Sequence, residues 1–206
     1  MIAIIDYDAG NIKSVIKAME HLGQEVILTR DGKEILSADH VILPGVGSFG
    51  DAMEKLHRYQ LVPVIRQVVE RKIPFLGICL GLQLLFESSE ESPGVEGLGI
   101  LKGRIVRFDE RDGMKIPHMG WNSLSFPREG RLFQGIGQQA YVYFVHSYYL
   151  IAEDESIAAA TCEYANHFHA SVEQGSVFAC QFHPEKSSDV GLQILKNFIN
   201  LRKEDF

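Results

Sequence analysis

Pro74-Phe-Leu-Gly-Ile-Cys79-Leu-Gly-Leu-Gln83-Leu-Leu-Phe-Glu87 reads as a strand, a sharp turn and a helix. Pro74–Ile78 is a short apolar run, and Leu80–Glu87 is rich in good helix formers. Cys79 stands at the junction, flanked by Gly77 and Gly81 in a G-x-C-x-G arrangement. This is the form of a nucleophile elbow, in which the reactive side chain sits on a strained backbone and small neighbours prevent clashes. At the helix N-terminus, free N–H groups and the helix dipole favour developing negative charge, and the Leu80 N–H is a natural oxyanion donor. The same residues serve equally as a buried structural cysteine beside packing glycines.

Outward from this stretch, the first half alternates strands with helices. Ile2–Ile5, Glu25–Thr29 and His40–Leu43 are apolar strands. Asn11 is placed to cap a helix whose stripe is Ile12, Val15, Ile16 and Met19, ending at Gly23. Pro44-Gly-Val-Gly-Ser-Phe-Gly50 is a glycine-rich loop leading to a helix that includes Ala52–Leu56, and a further helix covers Val62–Arg71. Nearly continuous apolar strands in βαβα order predict an open, mostly parallel sheet flanked by helices. The second half is β-rich: Gly103–Phe108, Tyr141–Tyr149, Ile157–Thr161, His167–Glu173 and Ser176–Phe182 read as antiparallel hairpins extending that sheet, with a turn at Glu173-Gln-Gly175-Ser. Ser188 is placed to cap a last helix with Ile194, Leu195, Phe198 and Ile199 on its apolar face. No repeat or linker divides residues 1–206, so one α/β domain is the expectation.

The formal net charge of −7 argues against nucleic acid as the main partner, because phosphate binding needs clustered Lys and Arg. No run of about 18 apolar residues suggests a membrane span. The start, Met1-Ile-Ala-Ile-Ile-Asp6, lacks the basic flank of a signal peptide and reads as a strand. Three cysteines, Cys79, Cys162 and Cys180, without metal-type spacing, point to a reducing cytoplasm. Cys162 and Cys180 lie in β-rich runs and read as packing residues.

Gln181-Phe-His183-Pro-Glu185 closes the run Val177–Phe182. In a parallel-rich sheet, His183 can reach the strand-end rim that holds Cys79, where ligand sites of open α/β sheets gather. Pro184 restricts the backbone of His183, and Glu185 is spaced to meet the imidazole nitrogen facing away from a thiol. A His-Pro turn with a solvated glutamate is the plainer reading of the triplet. Together with Cys79 it supplies a nucleophile, a base and an orienting carboxylate.

The chain resembles the class I (triad-type) glutamine amidotransferases, which have a flavodoxin-like fold, and among them the amidotransferase subunits of imidazole glycerol phosphate synthase. The resemblance covers essentially the whole chain. It rests on Asp6-Tyr7 with Gly10-Asn11, Leu43-Pro-Gly-Val-Gly-Ser-Phe49, Gly77–Glu87, Pro117-His-Met-Gly-Trp-Asn122, Phe144-Val-His-Ser-Tyr148 and Gln181–Lys186. Asp8-Ala9 departs from the pattern, standing where many members carry a glycine-containing pair. The resemblance implies that Cys79 attacks the glutamine side-chain amide, that His183 shuttles the protons, and that Glu185 orients His183. Leu80 and the loop residues Val46 or Gly47 are the expected oxyanion donors, and Gly45 and Gly47, flanking Val46, would let that loop switch between an idle and an active state. Gln83, one helical turn after Cys79, can face the same pocket. The family pattern adds Glu91 for the α-ammonium group and Ser147 and Tyr148 for the α-carboxylate. No cofactor and no metal is implied.

Such a subunit passes ammonia to a partner cyclase with a (β/α)₈ barrel, a heterodimer in which imidazole glycerol phosphate and an aminoimidazole carboxamide ribotide are made for histidine biosynthesis. Asn11, Met119, Trp121, Asn122 and Lys186 are interface candidates, although Trp121 can equally be a core residue and Lys186 a solvated charge. Rival readings are an amidotransferase feeding pyridoxal phosphate, anthranilate or guanylate synthesis, disfavoured by Pro117–Asn122, and a non-catalytic module of the same fold. A metal site on His167 and His169 is the least favoured, since no acidic or Cys residue adjoins them in sequence.

Overall fold

The computed structural model describes residues 1–10, 12–110 and 113–206. Four short strands, β1 (Ile2–Ile5), β2 (Val26–Thr29), β3 (His40–Leu43) and β4 (Phe75–Ile78), pair in parallel in the order β2-β1-β3-β4. Each of β1, β3 and β4 is buried along its whole length, because helices cover both faces. Side chains alternate across the sheet. Ile2 and Ile4 pack with α1 (Ile12–His21) and α6 (Ser188–Ile199), while Ala3 and Ile5 pack with α3 (Phe49–Arg58) and α4 (Leu61–Glu70). A helix the sequence reading omitted, α2 (Gly32–Ser37), starts at Asp31, whose carboxylate accepts the Lys33 N–H at 2.7 Å. α5 (Leu80–Leu84), after Cys79, stops short of the expected Glu87.

The second half extends this sheet, beyond β4, through β12 (Val177–Cys180), β11 (His167–Gln174), β9 (Tyr148–Ala152), β6 (Gly103–Arg107) and β5 (Ser88–Ser89), with β10 (Ala158–Glu163) also on β11. β12 lies parallel to β4, and the pairings of β11 with β12, β9 and β10 are antiparallel. The expected strand Tyr141–Tyr149 is in fact two. Ser147 breaks it into β8 (Tyr141–His146) and β9, and β8 leaves the main sheet to pair with β7 (His118–Ser123) in a separate two-stranded sheet. Ser188 does not cap α6. It is the first helical residue, and the preceding Ser187 directs its hydroxyl elsewhere. The capping role expected of Asn11 lies outside the described residues.

Candidate active site

β4 and β12 run side by side with Ile78 opposite Cys180, so the two chains leave the sheet at the same edge. Cys79 follows β4 at once, with φ 55° and ψ −109°, a backbone conformation that L side chains rarely adopt. Its N–H is held by the Cys180 carbonyl at 2.8 Å. The turn closes so tightly that a Cβ on Gly81 would sit 1.9 Å from the Leu43 carbonyl oxygen. The predicted elbow is present, with its strain at the cysteine.

His183 lies three residues beyond β12 and is 2% exposed. Its backbone is bound into a closed ring: its N–H donates to Tyr143 O (2.9 Å), the Tyr143 N–H donates to Ser187 Oγ (2.9 Å), and that hydroxyl donates to His183 O (2.6 Å). Nδ1 lies 2.8 Å from Glu185 Oε1, and both side chains are buried. Because a carboxylate only accepts, Nδ1 carries the proton and Nε2 is turned toward the thiol side. Among the described residues, Nε2 and Glu185 Oε2 have no hydrogen-bond partner. Burial alone would push the imidazole down, but the Cys79 sulfur and the Glu185 carboxylate outweigh it and hold it up at about 10.

Cys79 and His183 border a cleft of about 380 Å³ with Val46, Gly47, Leu80, Gln83, Glu91, Pro117, Val145, His146, Ser147 and Tyr148. All four sequence-predicted substrate residues are therefore at the cleft. Both amide hydrogens of Gln83 are committed, to Tyr148 O (3.2 Å) and Gln181 Oε1 (3.0 Å), so what it offers a ligand is its carbonyl oxygen. Glu91 Oε2 accepts the Phe49 N–H at the start of α3 (2.8 Å). Gln181 was passed over as a site residue. It is fully buried, and its Nε2 lies 3.7 Å from Cys79 Sγ. The alternation of extended chain was the available signal, since Gln181 and His183 are two residues apart and share a face.

The side of the cleft where the oxyanion donors are expected is arranged differently. The Leu80 N–H donates to Gly45 O at 3.3 Å, so the loop itself occupies that donor. Gly47 has φ +102°, open to glycine but strained for other residues. Tyr7 anchors the loop base through its hydroxyl to Pro44 O (2.8 Å).

On the interface candidates, Met119 and Trp121 are 62% and 53% exposed, which removes the core reading of Trp121. Trp121 meets Tyr143 edge-on at 6.2 Å, and Lys186 Nζ lies 6.0 Å from the same ring. Asn122 is bound inward, donating to Glu163 O (2.9 Å) and lying 3.3 Å from His118 Nε2. Asn11 lies outside the described residues.

Away from the cleft, Cys162 and Cys180 are buried, as expected for packing residues, and burial pushes the Cys162 thiol up to about 12. His167 does have an acidic neighbour, contrary to the linear reading. β10 brings Glu163 opposite it, and the two are hydrogen-bonded, while His169 Nδ1 accepts from the Ala152 N–H at 3.4 Å. Among the described residues no helix is long and apolar enough to cross a membrane.

This fold with a buried Cys–His–Glu set at one sheet edge defines a class, and residues 3–201 match the family model for class-I glutamine amidotransferases. The chain belongs to the class-I glutamine amidotransferase family. It is 53% identical over 197 residues to "Imidazole glycerol phosphate synthase subunit HisH" of Moorella thermoacetica, covering 96% of this chain and 93% of that protein. It is 52% identical over 206 residues to the protein of the same name from Thermosynechococcus vestitus, covering 98% of each. Among solved structures, PurLQS from Thermotoga maritima superposes with a TM-score of 0.73 at 20% identity, covering 97% of each chain, a likeness of fold alone.

Proposed function

We propose that this chain is the glutaminase subunit of an imidazole glycerol phosphate synthase, releasing ammonia from glutamine for a cyclase subunit with a (β/α)₈ barrel in the cytoplasm. The observation that carries the chemistry is the buried Cys79–His183–Glu185 set at the mouth of the cleft. The curated relatives, about half identical over nearly their full length, favour this synthase over other amidotransferase acceptors.

In this reading the Cys79 sulfur bonds to the side-chain carbonyl carbon of glutamine, and the C–N bond breaks as His183 delivers a proton to the departing nitrogen. At about 10, the imidazole holds that proton at neutral pH. Water then attacks the γ-glutamyl thioester, His183 takes its proton, and the C–S bond breaks to give glutamate. Glu185 fixes the tautomer and balances the imidazolium. The Gln83 carbonyl and the Glu91 carboxylate suit an α-ammonium group, and Ser147 and Tyr148 sit where the α-carboxylate would lie. The tetrahedral oxyanion needs the Leu80 N–H and a second donor from Val46 or Gly47. Since Gly45 O holds the Leu80 N–H, the loop must turn before the hole can form. Met119, Trp121 and Lys186 are the proposed docking face for the barrel.

The test compares glutamate release by the chain alone, with a barrel cyclase, and with cyclase plus its ribulosyl aminoimidazole carboxamide nucleotide. Stimulation that needs the nucleotide and disappears in Cys79→Ala supports the assignment. Equal rates in all three overturn the subunit role and leave a free-standing glutaminase.

A further inference from the structure

Two buried histidines outside the proposed triad carry a hydrogen-bond pattern with only one consistent direction. His146 Nδ1 lies 2.8 Å from Tyr148 O, and a carbonyl only accepts, so Nδ1 bears the hydrogen. Burial pushes His146 down to about 3, so the ring is neutral and its Nε2 is a bare acceptor. His118 Nδ1, 2.9 Å away, must then be the donor. His118 is likewise pushed down by burial, to about 4, so its Nε2 accepts, and the Asn122 amide nitrogen at 3.3 Å supplies the hydrogen.

A second arm leaves the same carbonyl. Tyr148 O also accepts from Gln83 Nε2, which donates onward to Gln181 Oε1, and this turns the Gln181 N–H toward Cys79 Sγ. One backbone oxygen therefore sets the polarity of both arms. His146 and Tyr148 flank Ser147, so the His146 bond also closes the bend that forms this wall of the cleft. On β7, His118 and Asn122 point inward while Met119 and Trp121, at alternate positions, point out.

We infer that His118 and His146 are positioning residues. Through the Tyr148 peptide they fix the orientation of Gln83 and Gln181, and so aim an N–H at the Cys79 sulfur and a carbonyl at the bound amino acid. The inference rests on Cys79 being the nucleophile. The triad does not need these histidines for proton transfer, and their burial beside aromatic rings would be served as well by phenylalanine. His118 stacks between Phe144 (4.8 Å) and Tyr164 (4.0 Å), so His118→Phe keeps the packing and deletes the hydrogen bond.

The first test is ¹⁵N-histidine NMR of the full chain. Both rings are expected as neutral Nδ1–H tautomers from pH 5.5 to 8, and an Nε2–H tautomer or a protonated ring at either position overturns the inference. The second is the rate of Cys79 alkylation by iodoacetamide at fixed pH 7, in Cys162→Ala/Cys180→Ala background. His118→Phe and Gln181→Met should each slow it roughly fivefold, the size of one net hydrogen bond, and the double variant should be no slower than Gln181→Met. An unchanged rate in His118→Phe with a native circular dichroism spectrum, or fully additive effects, overturns it. With Cys180 replaced, the titratable groups facing Cys79, namely Tyr7 and His183 with Glu185 behind it, are the same in every pair compared. A thiol unreactive even with both histidines intact overturns the glutaminase reading and the link to sulfur together, while the tautomers still report on the histidine pair.

Discussion

The two sides of the cleft are in different states of readiness. On the proposed acid–base side, Cys79, His183 and Glu185 are buried, the backbones of Cys79 and His183 are pinned by hydrogen bonds, and His183 Nδ1 is already paired with Glu185. On the proposed oxyanion side, the Leu80 N–H is spent on Gly45 O, and Val46 and Gly47 of the same loop line the cleft. Proton transfer depends on short, local partners and can be built in permanently. Stabilisation of a developing charge depends on donors that another segment can cover, so that side is where activity can be gated.

The sharpest way to break this contrast is at the sulfur. Under the proposed thioester mechanism, Cys79→Ala should lower partner-stimulated glutamine hydrolysis by roughly 10⁴-fold or more, read as glutamate release. Glu185→Gln should cost about 10²–10⁴-fold in kcat by spoiling the imidazole tautomer and its charge balance. That variant also has a pH signature. The folded imidazole of His183, at about 10, binds its proton more tightly than the unfolded one, near 6.5. The stability this gives is fully present below about 6.5 and is lost as pH rises through about 10. Urea denaturation should therefore show the gap between the original chain and Glu185→Gln narrowing from pH 6.5 to 10.

Gly47→Pro tests the other side. Proline cannot take φ +102°, so the loop changes state, and stimulated hydrolysis should fall by about 10²–10³-fold. Iodoacetamide labelling of Cys79 should stay within about twofold, because the triad itself is untouched. If labelling fell as far as hydrolysis, the two sides would not be separate. The smallest effect belongs to Trp121→Ala: stability within about 0.5 kcal/mol by denaturation, since the ring is exposed, but weaker binding of the proposed cyclase partner by about 2 kcal/mol in titration.

What the sequence revealed follows the same division. The elbow, β1, β3 and β4 were legible because fully buried strands are written as apolar runs, and Gly77 and Gly81 mark a tight turn. β7 was missed because His118-Met-Gly-Trp-Asn-Ser123 alternates polar inward and apolar outward, the reverse of an ordinary half-buried strand. The α2 helix escaped because six residues carry too little periodicity. The apolar run Tyr141–Tyr149 hid the break at Ser147, which is imposed by the switch of β8 from one sheet to another. Gln83 and the proposed triad could be placed by spacing, and Gln181 by its alternation with His183, whereas the Leu80–Gly45 bond joins distant segments and leaves no local trace.

The two faces of β7 have a consequence for how this chain can diverge. Insertion or deletion of one residue between His118 and Ser123 would reverse the faces on one side of the change, so that His118 and Asn122 no longer both point inward or Met119 and Trp121 no longer both point out. Substitutions on the outer face can follow a changing partner one at a time, but the length of this strand cannot drift. Homologues that have exchanged one acceptor enzyme for another should therefore differ in the residues at 119 and 121 while keeping the count between 118 and 123 unchanged.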